Sequence, residues 1–269
     1  MKKFELTSET KINIFGKKLF RIKALVSFGV VKTGETGGWV EKEENVNQSG
    51  NAWVFGNAEV FGNAEVFGNA EVSDNARVFG NARVFDNARV SGNAEVSGNA
   101  EVSDNARVFG NAEVSDNAWV SGNARVFGNA EVFGNAEVFG NAEVFDNARV
   151  FGNARVSDNA RVSGNAEVSG NAEVSDNAWV FDNARVFGNA DYATIHGFGT
   201  QFRTTTFFRC KDKQVKVSCG CFYGTIPEFC EQVKNTRKGK IAEEYLMIAD
   251  LMEKHFAEEA KQKKHHNLS

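Results

Sequence analysis

The chain has 269 residues, a net charge of −4 and a pI near 5.7. That balance supplies no basic surface for nucleic acid or an anionic membrane, and no stretch approaches the roughly 18 consecutive apolar residues of a membrane span. Four cysteines, all in the last third of the chain, fit a reducing compartment better than a disulfide scaffold. Met1-Lys2-Lys3 has no apolar run behind it, so no signal peptide is read there and a cytoplasmic location is expected.

Residues 1–48 read as a β-rich N-terminal cap. Lys11 to Phe15, Leu19 to Leu25 and Phe28 to Val31 are expected as strands between glycine turns, and Trp39 is expected to plug the first coil of the adjoining repeat. Residues 49–192 are a strict hexad, Gly/Asp-Asn-Ala-(Glu/Arg/Trp)-Val-(Phe/Ser). Asn returns at every sixth position from Asn51 to Asn189. The alternation of Ala and Val with polar or aromatic positions is a strand signature, and Gly-Asn or Asp-Asn is corner chemistry. A single hexad buries one Val for about 1.5–3 kcal/mol, too little to order six residues. Hexads must therefore stack, which predicts an all-β solenoid. At the outward position before Val, opposite charges outnumber like ones at spacings of 12 and 18 residues but not of six. Consecutive hexads are thus not stacked, and both two-sided and three-sided coils stay open. The charge order from Glu59 to Glu101 recurs from Glu131 to Glu173, which suggests growth by duplication.

The hexad, with Val as the aliphatic residue and Ala as the small one, resembles the repeat of the left-handed β-helix, acyltransferase-like family. The resemblance implies a three-sided left-handed parallel β-helix of about eight coils, roughly 35–40 Å long at 4.8 Å per coil. Gly37-Gly38-Trp39-Val40-Glu41-Lys42-Glu43-Glu44-Asn45, and Val217 to Thr225 with Glu228-Phe229, resemble the ends of hexapeptide-repeat proteins of bacteriophages and prophages. That likeness implies a viral or prophage origin and assigns no activity. Acyltransferases of this fold use a histidine in the coils, and the related carbonic anhydrases hold zinc with three. Here the repeat has none: His196, His255, His265 and His266 all lie beyond it. A general base for acyl transfer is missing, as is a zinc-hydroxide site. No enzyme and no cofactor are expected.

By alternation the Phe positions should point outward, so Phe127, Phe133, Phe139, Phe145 and Phe151 are candidates for an interaction surface. The alternative is that Phe stacks on Phe between coils beneath Glu and Arg stems. Trp53, Trp119 and Trp179 occupy the outward charge position and join the candidate surface, and 18-residue coils put Trp53 and Trp179 on one face. The Asn column is expected to be a structural ladder.

Residues 193–269 read as an α+β C-terminal cap. Strands are expected near Tyr192 to Ile195, Thr204 to Arg209 and Val215 to Cys219. A short helix should come next, from Pro227 to Asn235, capped by Thr225. An amphipathic helix is expected from Lys240 to Lys264, lying across the open end of the prism, with a frayed tail from Lys261. Cys210, Cys219, Cys221 and Cys230 lack the Cys hairpin of a zinc site and are expected as free thiols, a four-thiolate site being the alternative. Lys234, Arg237, Lys238 and Lys240 form a basic turn with an anion site as its alternative reading. The expected function is a non-enzymatic scaffold that presents Phe, Trp and charge ladders to a protein partner. The alternatives are self-association as a trimer or fibre, and a degenerate acyltransferase-like protein binding a small ligand.

Overall fold

The structure, a computed structural model, describes residues 2–266. Its centre is a parallel β-solenoid of about eight turns. Each hexad contributes a two-residue rung, from Trp53–Val54 to Arg185–Val186. Every rung pairs with the rung 18 residues away: Glu59 lies opposite Arg77, and Arg77 opposite Glu95. Three hexads therefore make one coil, which decides between the two-sided and three-sided readings. The three faces take their names from their first rungs: the Trp53, Glu59 and Glu65 faces.

Alternation along each rung separates core from surface. The Ala and Val of the hexads are buried from Ala52 to Val186 and form one continuous core. The backbone is satisfied from coil to coil: Glu59 N donates to Ala76 O at 2.9 Å and Phe61 N to Val78 O at 3.1 Å. At many corners the Ala N–H turns back instead, as Ala58 N does to Phe55 O at 3.1 Å. Each corner needs a residue with positive φ. Gly supplies it without strain, as at Gly80 (φ 74°), and Asp adopts it elsewhere, as at Asp104 (φ 56°).

The N-terminal cap prolongs the Glu59 face. Strands β1 (Phe4–Ile12), β2 (Lys18–Ala24) and β3 (Thr36–Val40) stand in order before the Glu59 rung, with Val40 in register with Val60. The first strand starts earlier than expected and ends before Asn13, whose Oδ1 accepts from Phe15 N and Lys17 N and so closes the turn. Phe28 to Val31 is no strand; it is one antiparallel bridge across a tight turn. Trp39 does not plug the first coil. Its register opposite Glu59 gives it an outward position, where it packs with Leu19 and Phe61 under Lys11 and Arg21. The end of the core is closed by Phe4, Ile22, Val31 and Trp53.

At the other end, four antiparallel strands succeed one another: β4 (Tyr192–Phe198), β5 (Arg203–Arg209), β6 (Val215–Cys219) and β7 (Phe222–Thr225). Helix α1 (Ile226–Thr236) begins at Thr225, whose hydroxyl accepts from Glu228 N while the Glu228 carboxylate accepts from Thr225 N. Helix α2 (Gly239–His266) comes last. The helices do not lie directly on the open end of the prism. Phe208 and Cys210 join the solenoid core, whereas Phe207 and Val217 join a second core with Phe229, Tyr245, Ile248 and Met252. The sheet is a two-sided wall, and the helices sit on its far side. Of the tail expected to fray, the backbone stays helical to His266; residues 267–269 lie outside the described residues.

Candidate interaction surface

Three ladders run along the outside of the prism. The first is amide on amide: Asn Nδ2 donates to Asn Oδ1 one coil on, without a break from Asn51 to Asn69 through Asn159 to Asn177. These bonds occupy the Asn column, as expected of a structural ladder.

The second ladder is ionic. Arg83 meets Glu101 at 2.9 Å, Arg125 meets Glu143 at 2.9 Å, and Arg155 bridges Glu137 at 3.0 Å and Glu173 at 3.6 Å. Each such exposed pair contributes about 0.2–1 kcal/mol. The third ladder is aromatic. Phe109, Phe127 and Phe145 stack with centroids 4.9 and 5.0 Å apart and planes within 4°, and Phe133 stacks on Phe151 at 4.9 Å. Arginines lie over these rings: Arg125 over Phe127, Arg149 over Phe133 and Phe151, Arg155 over Phe139, Arg161 over Phe145. The five Phe candidates are half-buried; Phe127 stacks with Phe145 and Phe133 with Phe151, while Phe139, between Ser121 and Ser157, is engaged by Arg155 alone among the described residues. Where Phe follows Phe at 18-residue spacing the rings cover one another's faces, so these columns act as staples at the corners.

The three Trp candidates share one sequence position and have three environments. Trp53 is fully buried, which corrects its assignment to the outward surface. No complete coil precedes it, and the N-terminal cap folds over it, with Phe4 and Phe28 edge-on at 5.8 and 5.4 Å. Trp179 is half-buried at the C-terminal wall, its backbone N–H bonded to Thr206 Oγ1 and its ring tilted against Phe181. Trp119 is 43 % exposed. Each indole leans back over the preceding coil, to the position 16 residues earlier. Trp119 Nε1 donates to Ser103 Oγ at 3.1 Å, and Trp179 Nε1 to Ser163 Oγ at 3.2 Å. For Trp53 that position is Gly37, where a Cβ would fall 2.6 Å from the indole; Trp53 Nε1 is left without a partner.

The coil spanning residues 105–122 stands apart. Its three outward residues are Arg107, Glu113 and Trp119, one per face. Arg107 lies in register between Arg89 and Arg125, and Glu113 between Glu95 and Glu131. The flanking residues find ion partners further along, Arg89 with Glu71, Arg125 with Glu143, Glu95 with Arg77 and Glu131 with Arg149. Among the described residues Arg107 and Glu113 form no ion pair. Like charges directly opposite in a ladder cost about 0.2–1 kcal/mol each. Partial burial, with the carboxylates of Glu95 and Glu131 close by, holds Glu113 above the usual carboxylate pKa. Reading the sequence for Phe and Trp passed over these two residues. The signal was present in the runs of like charge at 18-residue spacing, and it becomes legible once the coil is known to have three sides.

The cysteines do not gather. Cys210 packs into the solenoid core, Cys219 and Cys230 against the helix-side core, and Cys221 is exposed. The sheet that places them on opposite sides is the reason. No group of three or more metal-ligating side chains occurs among the described residues. Burial, then Asp212 and Asp182, pushes the Cys210 thiol up to about 11. The basic turn is solvated: Lys240 pairs with Glu244 at 3.6 Å, and Arg237 bonds the carbonyl of Thr236. Among the described residues no helix is long and apolar enough to cross a membrane.

A family model described as the YdcK Beta solenoid repeat matches residues 82–98 and 154–170. The chain is a repeat β-helix protein. The two matched segments start 72 residues apart, the same four-coil shift that relates the two copies of the charge order. The likeness thus falls on equivalent coils of two similar halves, and residues 105–122 lie between them. No curated protein matches the chain.

Proposed function

We propose that this protein is a non-enzymatic β-solenoid scaffold that binds a protein partner through the side of its prism, with Trp119 at the centre of the contact. The observation that carries the reading is the exposed indole of Trp119, halfway along the prism on a face where Arg83 pairs with Glu101 on one side and Glu137 with Arg155 on the other. Trp is prominent among the residues that dominate binding energy at interfaces. Its N–H is held by Ser103, so the ring is fixed before a partner arrives. Ser103 and Ser121 occupy the corner beside it where Phe67, Phe85 and Phe139 stand in other coils, and both are buried, so the indole replaces a Phe ring as the exposed aromatic of that corner. The absence of histidine from the coils supports a role without catalysis. The origin in a phage or prophage, and work in the cytoplasm of a host cell, belong to this reading through the resemblance of the chain's two ends.

Affinity capture with the full chain, wild type against Trp119→Ala and Phe187→Ala, tests it. A captured protein lost with Trp119→Ala and kept with Phe187→Ala supports the reading. Identical capture by all three overturns Trp119 as the contact.

A further inference from the structure

The middle coil carries an acidic face and a basic face at one height. On the Glu59 face, Glu95, Glu113 and Glu131 stand in register; on the Trp53 face, Arg89, Arg107 and Arg125 do. The faces meet at the corner of Phe109, whose ring is stacked on Phe127. Elsewhere the chain pairs Glu with Arg from coil to coil, and its hexad accepts either residue at any rung. Only here are three like charges stacked on each of two faces of the same three coils, with the central residue of each stack left without an ion partner among the described residues.

We infer that these two faces pair between copies of the chain, the acidic face of one prism lying side by side with the basic face of the next. The occupant is a second copy because the complement of each stack is the other stack: three carboxylates against three guanidinium groups, at matching coil spacing, at the same level of the prism. Since the stacks sit near mid-length, prisms in contact there stay in register along their length. The contact joins two different surfaces, so a pair of copies keeps one acidic and one basic face free and the assembly closes as a ring or grows as a row. Arg offers a bidentate match to each carboxylate, and opposite potentials steer the faces together. The Glu65 face with Trp119 takes no part and stays open. This assembly is independent of whether Trp119 binds a partner.

Light scattering and thermal unfolding of the full chain test the inference. Wild type is expected to exceed the monomer mass of 29.5 kDa at low salt and to fall to it near 1 M salt, where the screening length is about 3 Å. Arg107→Glu and Glu113→Arg should each be monomeric at low salt. Each should also unfold at a higher temperature than wild type, because the reversal turns a like-charge stack into an alternating one. A variant that merely misfolded would unfold earlier. Mixed in equal amounts, the two variants should pair again, since Arg107→Glu keeps the acidic stack intact and Glu113→Arg keeps the basic one. A monomeric wild type at low salt, or a wild-type mass retained by both variants, overturns the inference. Capture of a partner through Trp119 is read separately and survives or fails by itself.

Discussion

Asp74 Oδ2 accepts a hydrogen bond at 2.9 Å from the backbone N–H of Gly92, the corner residue one coil on. The same bond joins Asp104 to Gly122 at 2.9 Å and Asp116 to Gly134 at 3.0 Å. An Asp at the corner therefore exchanges backbone strain, about 1–2 kcal/mol for a left-handed L-residue, for a charge-assisted bond to an otherwise unbonded donor. Asp116→Gly removes both terms and should change stability by less than about 1 kcal/mol. Asp116→Ala keeps the strain and loses the bond, and should cost about 1–2 kcal/mol. Urea unfolding of the two variants separates the terms; equal losses would mean that the left-handed strain contributes nothing, and an unchanged Asp116→Ala that the bond contributes nothing.

Phe127 and Phe187 occupy the same hexad position and predict opposite outcomes. Phe127 lies between Phe109 and Phe145 with Arg125 above it, while Phe187 is 58 % exposed. Phe127→Ser removes two ring stacks and a cation–π contact, a loss of about 2–3 kcal/mol. Phe187→Ser should be within about 0.5 kcal/mol of wild type. Thermal melts read the contrast, and similar shifts for both would show that the stacks carry little.

The hexad made the solenoid legible because its period records burial directly: Ala and Val recur wherever the core is, and they are buried from Ala52 to Val186. The number of sides was hidden in the charges, since spacings of 12 and 18 satisfied them equally; only the register of Glu59 with Arg77 decides it. The environments of the Trp residues were not legible. The slot tells that a side chain leaves the rung outward, and what then covers it depends on the caps, whose sequences carry no repeat. The amphipathic stripe of α2 likewise announced a buried face without saying that it packs on the far side of β4–β7. Arg107 and Glu113 are ordinary hexad residues by type, and their isolation exists only between coils.

Trp53 and Trp119 give that difference in environment a direct test. Replacement by Glu, the commonest residue of the slot, should cost about 1 kcal/mol at Trp119, where it stands between Glu101 and Glu137, and be severe at Trp53. Trp53→Glu places a carboxylate in a fully buried site against Phe4 and Phe28, a change that costs more than about 3 kcal/mol. Ser103→Ala leaves the Trp119 Nε1–H without its acceptor, and the half-exposed ring can turn it to water, so a loss below about 1 kcal/mol is expected. Circular dichroism melts would rank Trp53→Glu far below the other two, and a mild Trp53→Glu would contradict the closed N-terminal end.

Two groups at opposite ends of the core act on stability in the same alkaline window with opposite sign. Lys3 is 3 % exposed, its Nζ donating to Ala52 O at 2.9 Å beneath the Phe28 ring, and burial lowers its pKa to about 8 from 10.5. Between those values the unfolded chain holds more protons at Lys3 than the folded chain, so this group makes stability rise with pH. Cys210 behaves in the reverse way. Its pKa is raised from 9.0 to about 11, so the folded chain keeps the thiol proton longer and stability falls as pH climbs through that range. Lys3→Met should abolish the first effect: from pH 8 to 10.5 its urea midpoint should fall relative to wild type, by a difference of order 2–3 kcal/mol at full development. Cys210→Ala, after its constant cavity cost is subtracted, should lose the second effect and gain relative to wild type between pH 9 and 11. Parallel pH profiles for wild type and Lys3→Met would show that the Lys3 ammonium reaches solvent and that the N-terminal cap opens more readily than its packing implies.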